Sequence, residues 1–211
     1  MLRRTTASVM QVCHDSGLVV FSSGQSVVVK DARKDYAVVF EAPLQHAVGL
    51  DASPSGAYLV TYQRPQKDKE NEKNLCVFDI SKWKGSGDEP PPTPVFSQSH
   101  KQASQDLWPL YQFDQKEEFM YRSVANEVHA IKTSAYEEGI NKKLRVKGLS
   151  TFAISKGPEP KIAVYCPESK GAPGSVQVYD LESDFVGSAN QAKGQPPPQP
   201  SARRSFYRSS R

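Results

Sequence analysis

The residues best equipped for chemistry here are four histidines, three cysteines, three carboxylate runs, one glycine-rich stretch and two basic strips. Catalysis or metal binding requires such groups to converge. His14, His46, His100 and His129 stand far apart, and none pairs with a cysteine or an acid at metal-ligand spacing. His129 lies between Val128 and Ala130 in a β-forming run, the setting of a packed or surface histidine. The carboxylates gather within Asp68–Glu72, at Glu117-Glu118 and at Glu137-Glu138, in polar turn-forming sequence that offers no burial to tune an acid or a base. Gly171-Ala172-Pro173-Gly174-Ser175 lacks the Gly-Lys-Ser/Thr ending and following helix of a phosphate cradle, and reads as a hairpin loop. No catalytic or metal-binding residue is assigned, no cofactor is expected, and the chain reads as non-enzymatic.

The basic strips suit a different chemistry. Lys142-Lys143-Leu144-Arg145-Val146-Lys147 alternates cations with apolar residues. As a strand it buries Leu144 and Val146 and presents three cations on one face, suited to RNA phosphates or to an exposed edge whose charges discourage aggregation. Arg203, Arg204, Arg208 and Arg211 interleave with Phe206 and Tyr207, a composition for phosphate contact and base stacking; burial of Phe206 in a strand is the alternative. Candidate RNA contacts are therefore Lys142, Lys143, Arg145, Lys147, Arg203, Arg204 and Arg208. The net charge of +4 over 211 residues is mild for a dedicated nucleic-acid-binding domain.

Cys13, Cys76 and Cys166 are odd in number, far apart and set in apolar, β-rich sequence. They read as reduced thiols of a cytoplasmic protein. No apolar run approaches the ~20 residues of a membrane helix, so no membrane is expected as a partner. Met1-Leu2-Arg3-Arg4-Thr5-Thr6 superficially resembles a targeting presequence, but strand-like sequence begins almost at once.

These residues are carried by a repeat of about fifty residues. Ser26–Asp31, Asn74–Asp79, Asn126–Ile131 and Ser175–Asp180 each open on polar residues and continue as a short apolar or alternating strand, three of them ending in Asp. Upstream of each lie two strands joined by a tight polar turn, such as Asp51–Gly56, Asp114–Glu118 and Ser155–Pro160. Nowhere does a long stretch carry apolar residues at helical spacing. Short antiparallel strands at this period predict an all-β fold of four-stranded β-propeller blades, an incomplete ring or a fragment of a larger propeller. A β-sandwich also uses short strands but gives no reason for the unit to recur. The expected organisation is blades over 1–186, a partial first blade and then about three complete ones, with a Pro/Gly/Gln-rich loop over 187–200 and a basic strand or disordered tail over 201–211. Gln63–Lys73, Ser81–Pro94 and Gly187–Pro200 are expected to be mobile loops, since charge runs and prolines cannot build a ladder.

Within the repeat, Asn126-Glu127-Val128-His129 and the run from Gly157 to Pro173, with its Val164-Tyr165 strand and its Ser169-Lys170-Gly171-Ala172-Pro173 ending, resemble segments of the eukaryotic translation initiation factor 2A family. Ser201–Arg208 resembles that family's next basic-aromatic strand. The resemblance covers roughly residues 45–208 and is strongest over 106–180; the first forty residues match weakly, and two of the loops look longer than usual. It implies the amino-terminal portion of a larger WD-type propeller. It also implies a non-GTPase initiation scaffold in the cytoplasm that associates with the small ribosomal subunit and promotes initiator methionyl-tRNA binding. Its partners would be that subunit, initiator tRNA, and mRNA or other initiation factors, with no small-molecule substrate. A propeller adaptor of another pathway is the alternative. A propeller enzyme would repeat acids or histidines at the blade period, which this sequence does not.

Overall fold

The computed structural model describes residues 9–65, 73–83, 92–100, 110–157, 159–169, 171–187 and 199–206. Among them the regular structure is β-strand apart from 3₁₀ turns at Ala32–Lys34 and Tyr136–Glu138. The first sheet runs in chain order through β1 (Met10–Cys13), β2 (Leu18–Ser22), β3 (Val27–Asp31) and β4 (Ala37–Ala42). The second does the same with β5 (Ala47–Ala52), β6 (Tyr58–Gln63), β7 (Leu75–Asp79) and β8 (Phe96–Gln98). The third comprises β9 (Gln112–Phe113), β10 (Phe119–Val124), β11 (Glu127–Lys132) and β12 (Ile140–Arg145). The fourth comprises β13 (Thr151–Ile154), β14 (Lys161–Cys166), β15 (Gly174–Asp180) and β17 (Ala202–Phe206). The short strand β16 (Val186–Gly187) leaves the fourth sheet and pairs with β12 of the third. Every pairing is antiparallel, as propeller blades require.

The four recurring segments of the sequence fall on β3, β7, β11 and β15, the third strand of each sheet. The terminal aspartates explain part of the repeat. Asp31 accepts the Arg33 N–H at 2.9 Å, Asp79 the Ser81 N–H at 3.2 Å, and Asp180 the Glu182 N–H at 2.9 Å. Each carboxylate bonds the amide two residues on and so turns the chain out of its strand. The third sheet ends instead on Lys132, whose N–H is taken by Asn141 Oδ1 at 2.7 Å.

The first sheet departs from expectation: it has four strands, not a partial set. Met10, Gln11 and Val12 of β1 are exposed, as are Ala37 and Val38 of β4, so β1 lacks the buried alternation that marks a strand in sequence and β4 shows it only from Phe40 to Ala42. Ala202–Phe206 forms a strand opposite β15, while Tyr207–Arg211 lies outside the described residues. The middles of the three expected mobile loops also lie outside them. Their edges include ladder residues, Gln63 in β6 and Gly187 in β16. Among the described residues no helix is long and apolar enough to cross a membrane.

The chain divides into two compact units, Met1–Pro109 and Leu110–Arg211, each holding two sheets. In the first, Val20, Val29 and Phe40 pack with Leu50, Leu59 and Phe78 across the sheet-to-sheet space. In the second, Val128, Ala130 and Leu144 meet Phe152, Ile162 and Val164. Gly56, in the β5–β6 turn, has a positive φ of 82°, and a Cβ there would lie 2.6 Å from Leu18 Cδ1 and 3.0 Å from Ser16 Cβ. The turn of one sheet thus lies close against the Leu18 and Ser16 side chains of its neighbour. Gly56→Ala should lower stability by about 2 kcal/mol or more, because it adds strain and a clash. Gly139→Ala, with positive φ but open space around it, should cost only about 1 kcal/mol. Equal urea midpoints for the two variants would contradict the packing.

Candidate nucleic-acid interface

Strand β12 pairs with β11 along its length and with β16 at Lys142 and Lys143, so these two lysines do not stand on a free sheet edge. Leu144 pairs with Val128, and both are fully buried. Val146, just beyond the strand, is buried too. The alternation then sends Lys143 and Arg145 to the opposite face, beside their partners His129 and Glu127. Lys142 shares the Leu144 face, where its ammonium lies 4.9 Å from the centre of the Phe119 ring. The basic strip is therefore distributed over two faces. Lys147 is exposed in the turn after β12. On β17, Arg203 pairs with Gln177, and Arg204 pairs with Val176 and is exposed. Arg208 lies outside the described residues.

Two of the strand's cations already have an anion. Glu127 accepts from Arg145 Nε at 2.8 Å and from His129 Nε2 at 2.8 Å, with Lys143 Nζ at 3.6 Å. The His129 hydrogen bond, then Arg145 and Lys143, hold its carboxyl down at about 2 against a smaller opposing effect of burial. His129 is 5% exposed, and burial pushes its imidazole below the ordinary value despite the Glu127 bond, which pulls the other way. The neutral ring therefore donates through Nε2–H to the carboxylate, and Nδ1 has no partner among the described residues. The sequence reading of His129 missed this pairing, although a residue two positions away on a strand shares its face.

A separate feature lies on the other side of the third sheet. A cleft of about 650 Å³ opens between the β9–β10 turn and the β13–β14 turn. Phe119 and Tyr121 of β10, Pro160 and Leu181 supply its apolar wall; Lys116, Lys142 and Lys156 reach it from three different elements, and Asp114, Glu118 and Glu182 complete it. Local sequence builds each wall. Asp114 closes the first turn by accepting the N–H groups of Glu118 at 2.9 Å and Phe119 at 3.1 Å, and Glu117 takes the left-handed φ of 58° that the turn needs. Burial, then the charge and hydrogen bond of Asp114, push the Tyr121 hydroxyl well above the ordinary phenol range. The Tyr121 ring meets Phe185 edge-on at 5.5 Å, which anchors the chain just before β16. Gln112 fixes the spacing of the two sheets: its amide donates to Phe152 O at 2.8 Å, and its oxygen accepts the Ile154 N–H at 3.2 Å. The turns were legible in sequence but the cleft was not, because the residues that tie its walls together, Gln112 and Phe152, are 40 positions apart. The only signal was that both are first-to-second-strand turns of adjacent repeats. Among the described residues no group of three His, Cys, Asp or Glu side chains is placed to hold a metal ion.

No protein-family model matches the chain. Eukaryotic translation initiation factor 2A of Schizosaccharomyces pombe is 33% identical over 166 residues, 78% of this chain and 27% of that protein. The Dictyostelium discoideum protein of the same name is 30% identical over 134 residues, 62% of this chain and 20% of that protein. By sequence, this chain is a relative of eukaryotic translation initiation factor 2A. It spans about a quarter of the length of these relatives. A crystal structure of a eukaryotic initiation factor superposes with a TM-score of 0.71 at 27% identity, covering 100% of this chain and 46% of that one. The WD40 domain of SCAP from fission yeast has a TM-score of 0.53 at 13% identity, over 86% of this chain and 43% of that one, and shares the fold alone. The sheets are propeller blades. The two strings that carry the resemblance fall at equivalent places: Asn126–His129 opens β11, and Ser169 bridges Ala172 in the turn that opens β15.

The Glu127 cluster fixes a sign for pH. His129 has its folded value below 6.5, so its stabilising contribution is present above that value and is lost as pH falls through it. The contribution of Glu127 is present above 4.5 and is lost as pH falls towards about 2. Acid therefore weakens this sheet twice. In the folded chain, the assigned His129 ring should titrate below 6.5 by NMR. Glu127→Gln should lower it further, since the bond it removes favours the imidazolium. A rise in that variant would contradict the assignment.

Proposed function

We propose that this chain is part of a non-enzymatic scaffold of translation initiation. In this reading it works in the cytoplasm, associates with the small ribosomal subunit and promotes binding of initiator methionyl-tRNA without hydrolysing GTP. Initiator tRNA, mRNA or other initiation factors complete its set of partners. The observation that carries the reading is the 33% identity over 166 residues to a factor of that name. The architecture is compatible with it: four-stranded blades present rims of turns on a rigid frame, and rims suit contact with a large partner.

The pairing of Lys143 and Arg145 with Glu127 directs attention to cations outside that cluster, Lys147 and Arg204 on exposed positions and Lys142 in the cleft. Contacts to ribosomal RNA through such residues release counterions, so binding must weaken as salt rises. The chain should co-sediment with purified small ribosomal subunits at about 50 mM salt and lose most of that association by about 200 mM. Lys147→Glu with Arg204→Glu should weaken it without changing the circular dichroism spectrum. Failure to co-sediment, or binding indifferent to salt, would count against the proposal.

A further inference from the structure

The cleft between the third and fourth sheets combines features that a nucleic-acid reading of the basic strips does not use. Its volume of about 650 Å³ lies within the ~300–1,000 Å³ of small-ligand sites, more than one nucleotide fills. Phe119 is half-buried, presents part of its ring to the cleft and carries the Lys142 ammonium 4.9 Å from its centre. Lys116 and Lys156 line the cleft from exposed turns, so three lysines contribute to a cleft with an aromatic wall. Of the three acids, Asp114 is turned inward and spent on the N–H groups of Glu118 and Phe119. Glu118 and Glu182 remain exposed at the mouth.

Aromatic rings ringed by lysines bind single-stranded nucleic acid by stacking a base and holding its phosphates. Carboxylates beside such a ring add selectivity, because they accept hydrogen bonds from exocyclic amines, which cytosine, adenine and guanine have and uracil lacks. We infer that this cleft binds one unpaired RNA nucleotide bearing an exocyclic amine, its base against Phe119, its phosphates among Lys116, Lys142 and Lys156, and its amine at Glu118 and Glu182. This deepens the proposed function, and it rests on that reading for the choice of RNA as the ligand. Nothing reacts; the site is one of recognition.

The test uses the full chain and fluorescein-labelled cytidine and uridine hexamers in fluorescence anisotropy, run beside small-subunit co-sedimentation. The cytidine hexamer should bind at least about 5-fold tighter than the uridine hexamer. Lys116→Glu with Lys156→Glu should weaken the cytidine hexamer by about tenfold or more, and Phe119→Leu by about 5-fold or more. The lysine pair sits on exposed turns, so it keeps the test informative if Phe119→Leu disturbs the fold. Equal affinity for the two hexamers, or unchanged binding by the lysine variant, would overturn the inference. Co-sedimentation without any hexamer binding would also overturn it, leaving the ribosomal reading standing with a protein contact in its place. Hexamer binding that responds to these variants in a chain that does not co-sediment would support the cleft and remove the ribosome.

Discussion

Val20, Val29 and Phe40 of the first sheet can leave water only by meeting Leu50, Leu59 and Phe78 of the second, and the same dependence ties Val128 and Leu144 to Ile162 and Val164 in the other unit. A four-stranded sheet has too little material to bury its own apolar face, so the neighbouring sheet is its core. Everything else follows that constraint. Strand alternation must keep one set of side chains inward, which fixes the register of each ladder, and a slip of one residue would turn every buried valine outward. The turns are then displaced to the rims, where aspartates and glycines shape them without competing with the core.

That arrangement governs where charge can go. On β12 the inward positions go to Leu144 and to Lys142, whose stem lies along apolar surface while its ammonium reaches the Phe119 ring. The outward positions carry Lys143 and Arg145, and a carboxylate directly opposite on β11 takes both. Glu127 is a cross-strand partner, and its pairing stabilises the sheet locally while removing two cations from any outside partner. Gln112 plays the corresponding part at the cleft, bonding the backbone of the next sheet with both ends of its amide. The cleft is therefore a product of sheet spacing rather than of any one loop.

The third strands were legible because they are well buried: Val27–Val29 and Leu75–Phe78 read as apolar runs closed by Asp31 and Asp79, while Val128–Ile131 reads as a β-forming stretch around His129 with no closing aspartate. Outer strands were harder to see. Met10–Cys13 is mostly exposed, so its residues are under no pressure to alternate. Val186–Gly187 is two residues long and joins a sheet that the chain had already left, a pairing set by Phe185 docking on Tyr121 and by no local pattern. The candidate cations were found by type, but their destinations were not, since Glu127 and Phe119 select between the two faces only once the ladder is formed. The cleft escaped the sequence for the same reason, being assembled from turns that lie far apart along the chain.

The chain combines a blade scaffold, kinship with an initiation factor and a cleft lined by lysines and an aromatic wall. We propose that the turns lining that cleft contribute to contact with the translation machinery, beside Lys147 and Arg204. Hydrogen–deuterium exchange on the chain with and without small ribosomal subunits tests this directly. Exchange should slow in Asp114–Phe119 and around Ser155–Gly157 on adding subunits, with the third strands equally protected in both states. Unchanged exchange in both turns, or protection confined to the first sheet, would contradict it.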